Sequence, residues 1–145
     1  MKGWAHAAAA LPLAAAVHWA GGSLTAAGLA GAASVLVDLD HVADYVWWRG
    51  GWRGVDDFFA SYHAHRVTRL LLLMHSWELL LPFWGLLALL AAPAWLWALA
   101  VGWSFHLVLD QLANPVGLGF YFLAYRSRRG FERQYMRDRW GIKRP

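Results

Sequence analysis

The sequence predicts an all-α protein, an integral membrane helical bundle of about four transmembrane or re-entrant helices. Of its 145 residues, 59% are hydrophobic and only 15% are charged, a composition that one small soluble core does not accommodate. The apolar residues also fall into four stretches separated by short turns. Cysteine is absent, which excludes disulfides and thiolate metal sites.

The four apolar stretches are predicted to be helices that return the chain to the side where it starts. They cover residues 5–20, 24–37, 70–92 and 94–112, with Gly21, Gly22 and Pro93 in the turns. The third and fourth are long enough to cross about 30 Å of hydrocarbon. The second would measure only about 21 Å as a helix, so the first two are predicted to be tilted spans or a re-entrant hairpin.

Basic residues predict the orientation. Lys2, the arginines of the central loop and those of the C-terminal segment all fall on one side of four crossings. The positive-inside rule then predicts a multi-pass protein of the inner (plasma) membrane with cytoplasmic termini. We expect a membrane-embedded domain over residues 1–125, with an interfacial loop between its helices, and a basic cytoplasmic tail over 126–145. A cleaved signal peptide is the alternative for the N-terminus, and its removal would delete His6.

Histidine and carboxylate side chains are predicted to gather at this same membrane face, near four helix ends. They are His6, Asp38, Asp40, His41, His65, His75, Glu78, His106 and Asp110. His106 and Asp110 are four residues apart, and His75 and Glu78 are three apart, so each pair is expected to share a helix face. Ionisable groups inside apolar segments are costly and indicate function. Imidazole and carboxylate oxygen are ligands for a divalent metal, with zinc expected first and manganese as the alternative.

Each of these residues also has an ordinary structural interpretation. Asp38-Leu39-Asp40-His41 is compatible with a helix end followed by a solvated acidic loop. A single interior histidine such as His75 is often simply hydrogen-bonded. Asp40 would point away from its neighbours on a continuous helix and would then orient an imidazole. The sequence does not choose between His63 and His65.

The order of the motifs resembles a known family, the YdjM-like membrane-bound metal-dependent hydrolases. The resemblance covers the chain to about Pro115 and is carried by His6, Asp38-Leu39-Asp40-His41, His65-Arg66, His75-Ser76 and His106-Leu107-Val108-Leu109-Asp110. It implies metal-dependent hydrolysis at the membrane, with His6, Asp38, His41, His65, His75, His106 and Asp110 as ligands. Val37 replaces the family's proline and the middle block is stretched, which adds Glu78 and Gln111 as site candidates.

We therefore expect a metal-activated water to attack a phosphoester or lipid-type substrate at the cytoplasmic face. Asp40 or Glu78 would act as the general base, and Arg66 and Arg69 would neutralise a phosphate. Membrane lipids are the expected partners. Nucleic acid is not expected, because no nucleic-acid motif is present, and self-association as a homo-oligomer is left open. A non-catalytic metal-binding membrane protein and a small adaptor acting through the basic tail remain the alternatives.

Overall fold

The computed structural model describes residues 3–135, and this part of the chain is all-helical. Its α-helices, in chain order, are α1 (Gly3–Trp19), α2 (Leu24–Leu36), α3 (Leu39–Arg49), α4 (Val55–His63), α5 (Trp77–Leu89), α6 (Ala94–Ala113) and α7 (Leu123–Ser127). Short 3-10 turns occupy Leu73–His75, Leu118–Tyr121 and Arg133–Tyr135. The described residues include no β-strand, only an isolated antiparallel bridge between Arg69 and Glu132. The predicted all-α class is therefore confirmed.

The chain divides into two compact units. The first unit contains residues 3–38 and 77–114, and the second contains residues 39–76 and 115–135. The predicted boundary at residue 126 does not coincide with this division. Half of the predicted tail, residues 136–145, lies outside the described residues, as does Lys2.

Small residues allow the helices of the first unit to approach closely. A Cβ atom on Gly102 of α6 would lie only 2.1 Å from the carbonyl oxygen of Ala30 in α2. On the other side of α2, Gly31 faces Ala10 and Ala14 of α1. Close backbone contact through glycine and alanine is typical of helices that pack inside a membrane.

The helix directions in the first unit follow from specific contacts. Trp77 Nε1 donates to Gln111 Oε1 at 2.8 Å, and Trp84 Nε1 donates to Ser104 Oγ at 2.9 Å. The later α5 residue, Trp84, contacts the earlier α6 residue, Ser104. The two helices are therefore antiparallel. The start of α5 and the end of α6 therefore lie at the same end of the bundle.

Two helical stretches are long and apolar enough to cross a membrane. The first is Leu24–Arg49, whose 26 residues comprise α2, the turn at residues 37–38 and α3. The second is Ala94–Ala113, the 20 residues of α6. Helix α5 is apolar but shorter. By length and composition, the structure thus provides two membrane-crossing candidates.

The predicted continuous helix over residues 70–92 is wrong. The chain reaches α5 through a left-handed residue, Leu72 (φ 44°), a 3-10 turn, and an extended residue, Ser76. Helical structure begins only at Trp77 and ends at Leu89. Since the break lies between them, His75 and Glu78 do not share the helix face that their spacing predicted.

The second unit is held together by polar contacts that cross between its segments. The Tyr45 hydroxyl donates to the Asp57 carboxylate, which Arg49 Nε also contacts at 3.1 Å. Asp44 Oδ2 accepts from the backbone N–H of Leu72 at 3.2 Å. These bonds tie α3 to α4 and to the segment that precedes α5.

Candidate metal centre

His106 has one ring nitrogen fixed by the backbone and the other directed at carboxylates. The side chain is fully buried, and Nδ1 lies 2.7 Å from the carbonyl oxygen of Ser34. A carbonyl only accepts, so Nδ1 carries the proton, and in the neutral ring Nε2 keeps its lone pair. That Nε2 atom lies 3.6 Å from Asp38 Oδ1 and 3.7 Å from Asp110 Oδ2. Such a second hydrogen bond is the usual way in which proteins orient a metal-binding histidine.

His6 completes this cluster from the start of α1. Its ring stacks on that of His106, with centroids 4.0 Å apart, and its Nε2 lies 2.9 Å from Asp110 Oδ1. Its Nδ1 is buried, and no atom of residues 3–135 forms a hydrogen bond with it. A buried polar nitrogen without a partner is rare and calls for an explanation such as an ion.

The cluster meets the geometric requirements of a metal site. One potential ligand atom from each of His6, His106 and Asp110 lies within 4.8 Å of the others. Two ligand atoms bound at about 2.1 Å to one tetrahedral ion are about 3.4 Å apart, close to the separations of His106 Nε2 from Asp38 and Asp110. Two carboxylates with neutral imidazoles also balance a divalent charge. These buried His and Asp side chains are therefore able to hold a metal ion.

The cluster is closed on most sides but open at Asp38. His6, His106 and Asp110 are each at most 3% exposed, whereas the Asp38 side chain is 29% exposed. Asp38 follows α2, and the other three residues lie at the start of α1 and the end of α6. Three of the four predicted helix ends, those of α1, α2 and α6, therefore meet within the first unit.

Two further predicted ligands lie in the second unit. The rings of His41 and His75 have centroids 5.0 Å apart at a steep angle. Asp40 Oδ2 accepts from the backbone N–H groups of Met74 and His75 and lies 3.4 Å from His75 Nδ1. Asp40 therefore fixes the turn that carries His75, as expected of a residue that orients an imidazole.

Tyr62 anchors the backbone on the other side of this histidine pair. Its hydroxyl donates to the carbonyl oxygen of His41 at 2.8 Å. Burial, with a smaller contribution from the negative charge of Asp44, raises the pKa of Tyr62. The hydroxyl therefore keeps its proton and remains a donor at neutral pH.

Arg126 is the residue that the sequence interpretation missed. The sequence places it at the start of the predicted basic cytoplasmic tail, yet its side chain is fully buried. Its guanidinium donates to the carbonyl oxygens of Leu72, His75 and Phe120. Arg126 thus holds the non-helical turn around His75, and the aromatic run Phe120–Phe122 before it was the available signal for burial.

The structure does not bring every predicted residue into the metal cluster. His65 is exposed, and its Nδ1 accepts from Arg133 in the second unit. His63, Arg66 and Arg69 are also exposed, whereas Glu78 is half-buried in the first turn of α5. None of these residues belongs to the His6, His106 and Asp110 group.

No protein-family model, curated protein or solved structure matches this chain. The resemblance to the YdjM-like family therefore stays a prediction.

Proposed function

We propose that this protein is a membrane-embedded, metal-dependent hydrolase that acts on a phosphoester or lipid-type substrate at the membrane face. The observation that carries the proposal is the His106 side chain, with Nδ1 bound to Ser34 and Nε2 directed at Asp38 and Asp110. The Nε2 lone pair of His106 and the two carboxylates are therefore already oriented toward one cation position before a cation binds.

His6, Asp38, His106 and Asp110 are assigned as the ligands. Two imidazoles and two carboxylates suit zinc first and manganese second. When bound, a divalent cation supplies Lewis-acid polarisation of the scissile group and activates a water molecule. Asp38 lies at the exposed edge of the cluster, so it marks the side from which we expect the substrate to arrive.

The predicted acid–base residues receive different roles. Asp40 already accepts backbone N–H groups through Oδ2, and we therefore assign it the positioning of His75. Glu78, in the first turn of α5, lies at the same end of the bundle as Asp110. It is our candidate for the general base.

The membrane assignment is supported by the surface of the first unit. Two helical stretches of the chain are long and apolar enough to cross a membrane. In addition, large apolar side chains on the outer surface of the first unit are strongly exposed, including Trp19 at 92% and Leu89 at 82%. Others in this unit are Leu11, Leu24, Leu81 and Leu112. Apolar surface of this extent is unusual for a soluble monomer. We propose a multi-pass inner-membrane protein with cytoplasmic termini.

The proposal is tested by measuring metal and turnover on the same preparation. The full chain is purified in detergent, and bound metal is measured by elemental analysis for wild type, Asp38→Ala and Asp110→Ala. The matched control is His18→Ala, since His18 is exposed and bonds to the carbonyl of Gly22 at the opposite end of α1. We expect near-stoichiometric metal in wild type and control, a loss in both Asp variants, and metal-dependent hydrolysis of a phospholipid or aryl phosphate. Absence of metal from the wild type would overturn the proposal.

A non-catalytic metal site is the second candidate, favoured by the burial of His6, His106 and Asp110. Structural metal sites are closed, whereas catalytic sites keep an open position. Metal that is bound stoichiometrically, without turnover on the substrate panel but with a large loss of thermal stability on chelation, would select this candidate.

A further inference from the structure

The second unit contains a cleft that is separate from the proposed metal ligands. It encloses about 550 Å³ and is lined by His65, Thr68, Arg69, Glu132, Arg133 and Gln134. Two of these six residues are arginines that approach from different segments of the chain. From this cleft we infer that the protein has a binding site for a phosphate group, independent of the metal centre.

Arg133 provides the strongest reason for this inference. Its Nη2 donates to His65 Nδ1, whereas Nη1 is buried and forms no hydrogen bond with any described residue. A buried guanidinium N–H that lacks an acceptor is costly. A side-chain adjustment that exposes this N–H to an anion in the cleft would remove that cost with a charge-assisted hydrogen bond, the strong type that arginine forms with phosphate.

The backbone holds Arg133 and Arg69 at fixed positions. The Arg133 N–H donates to the carbonyl oxygen of Thr68 at 2.8 Å, and the Leu70 N–H donates to that of Phe131 at 2.9 Å. With the bridge between Arg69 and Glu132, these bonds pair the two segments side by side. These bonds fix the backbone positions of the two arginines, and both residues line the cleft. Binding therefore requires no loop rearrangement, which reduces its entropic cost.

Strained backbone at both edges supports a ligand-binding role. His65 has φ 55° and Phe131 has φ 59°, values that non-glycine residues rarely adopt. Such residues persist where the surrounding contacts impose them, and they concentrate at binding sites. Both lie at the entry to the paired segments.

The donors in the cleft favour phosphate over a simple halide. Arg69, Arg133 and the Thr68 hydroxyl offer several donors to a group with several acceptor oxygens. The one carboxylate, that of Glu132, accepts from the Gln134 amide. A phosphate group of this kind belongs either to free phosphate or to a lipid headgroup.

The test uses the full chain in a zwitterionic detergent. A chelator removes any metal, so the outcome for the phosphate site does not depend on whether the proposed metal centre is correct. Isothermal titration calorimetry measures binding of inorganic phosphate, and separately of mixed micelles that contain phosphatidic acid or phosphatidylcholine. The variants are Arg133→Gln and Arg69→Gln. Arg69 is exposed, so its replacement reports on the cleft even if Arg133→Gln does not fold. Exposed Arg53→Gln is the matched control.

We expect wild type and Arg53→Gln to bind inorganic phosphate, with the Kd raised at least tenfold in each cleft variant. Binding of phosphatidic acid micelles with no response to inorganic phosphate would identify the lipid headgroup as the source and also support the site. The inference is overturned if neither inorganic phosphate nor either kind of micelle binds. It is equally overturned if Arg69→Gln binds as tightly as Arg53→Gln.

Discussion

His106 and Ser34 are joined by a hydrogen bond of 2.7 Å between the imidazole Nδ1 and a backbone carbonyl oxygen. Ser34 itself turns its hydroxyl to the carbonyl of Gly31 at 2.8 Å, so the hydroxyl does not compete for the histidine. The bond connects α6 to α2 and also sets the direction of Nε2. Helix packing and ligand orientation therefore depend on the same contact.

Replacing His106 with alanine should strongly weaken metal binding. The variant loses one ligand and the bond that orients it, and we expect at least a 10- to 100-fold loss of metal affinity. A competition titration with a chromophoric chelator measures the affinity. His18→Ala should retain wild-type affinity, and retention by His106→Ala would show that the ligands have been misassigned.

Replacing Gly102 with alanine should destabilise the first unit. The new Cβ would lie 2.1 Å from the Ala30 carbonyl oxygen, which forces α2 and α6 apart at a cost of about 1–3 kcal/mol. Thermal unfolding in detergent measures the loss, and metal affinity should fall with it because Ser34 moves away from His106.

The control for this variant is Gly85→Ala, since a Cβ on Gly85 in α5 meets no atom within 4 Å. Alanine should leave the stability unchanged or raise it by up to about 1 kcal/mol through helix propensity. Equal effects of the two substitutions would argue against close packing of α2 and α6.

Replacing Arg126 with glutamine should destabilise the second unit by about 3–5 kcal/mol. The substitution removes the guanidinium and leaves buried carbonyl oxygens without a hydrogen-bond donor. Hydrogen exchange should accelerate selectively at residues 72–76, where Leu72 and His75 lose their donor. The exposed Arg128→Gln is the control. If both variants exchange alike, Arg126 does not hold this turn.

Acid should weaken the contact between α3 and α4. The Tyr45 hydroxyl, with Arg49 nearby, holds the pKa of Asp57 below its ordinary value. Because the folded pKa is lowered, the stabilisation is present above the unfolded carboxyl pKa of about 3.9 and is lost as the pH falls through the folded pKa. Melting temperatures between about pH 6 and pH 2 should therefore fall less steeply in Asp57→Asn than in wild type. Asp56→Asn, at the exposed neighbouring position, should follow the wild type, and parallel curves for all three proteins would refute this role of Asp57.

The sequence alone was sufficient to predict the helical class, the turns and part of the site. Gly21 adopts φ 94° between α1 and α2, and Pro93 precedes α6, as the turn residues predicted. His106 and Asp110 share a face because helix geometry sets the direction of residues four apart. Counting helix directions then predicted that His6 joins them, which the structure shows.

Only the tertiary structure decided the path of the chain around His75 and the burial of the Arg126 side chain. An apolar run such as residues 70–76 satisfies a helical pattern, and nothing local in it signals a break. The break is stabilised by a guanidinium about fifty residues away, which supplies the hydrogen bonds that helical neighbours would otherwise provide. The cleft of Arg69 and Arg133 likewise depends on pairing between distant segments. The spacing of apolar residues predicts local conformation. These features instead arise because buried polar groups form hydrogen bonds with residues that are distant in the sequence.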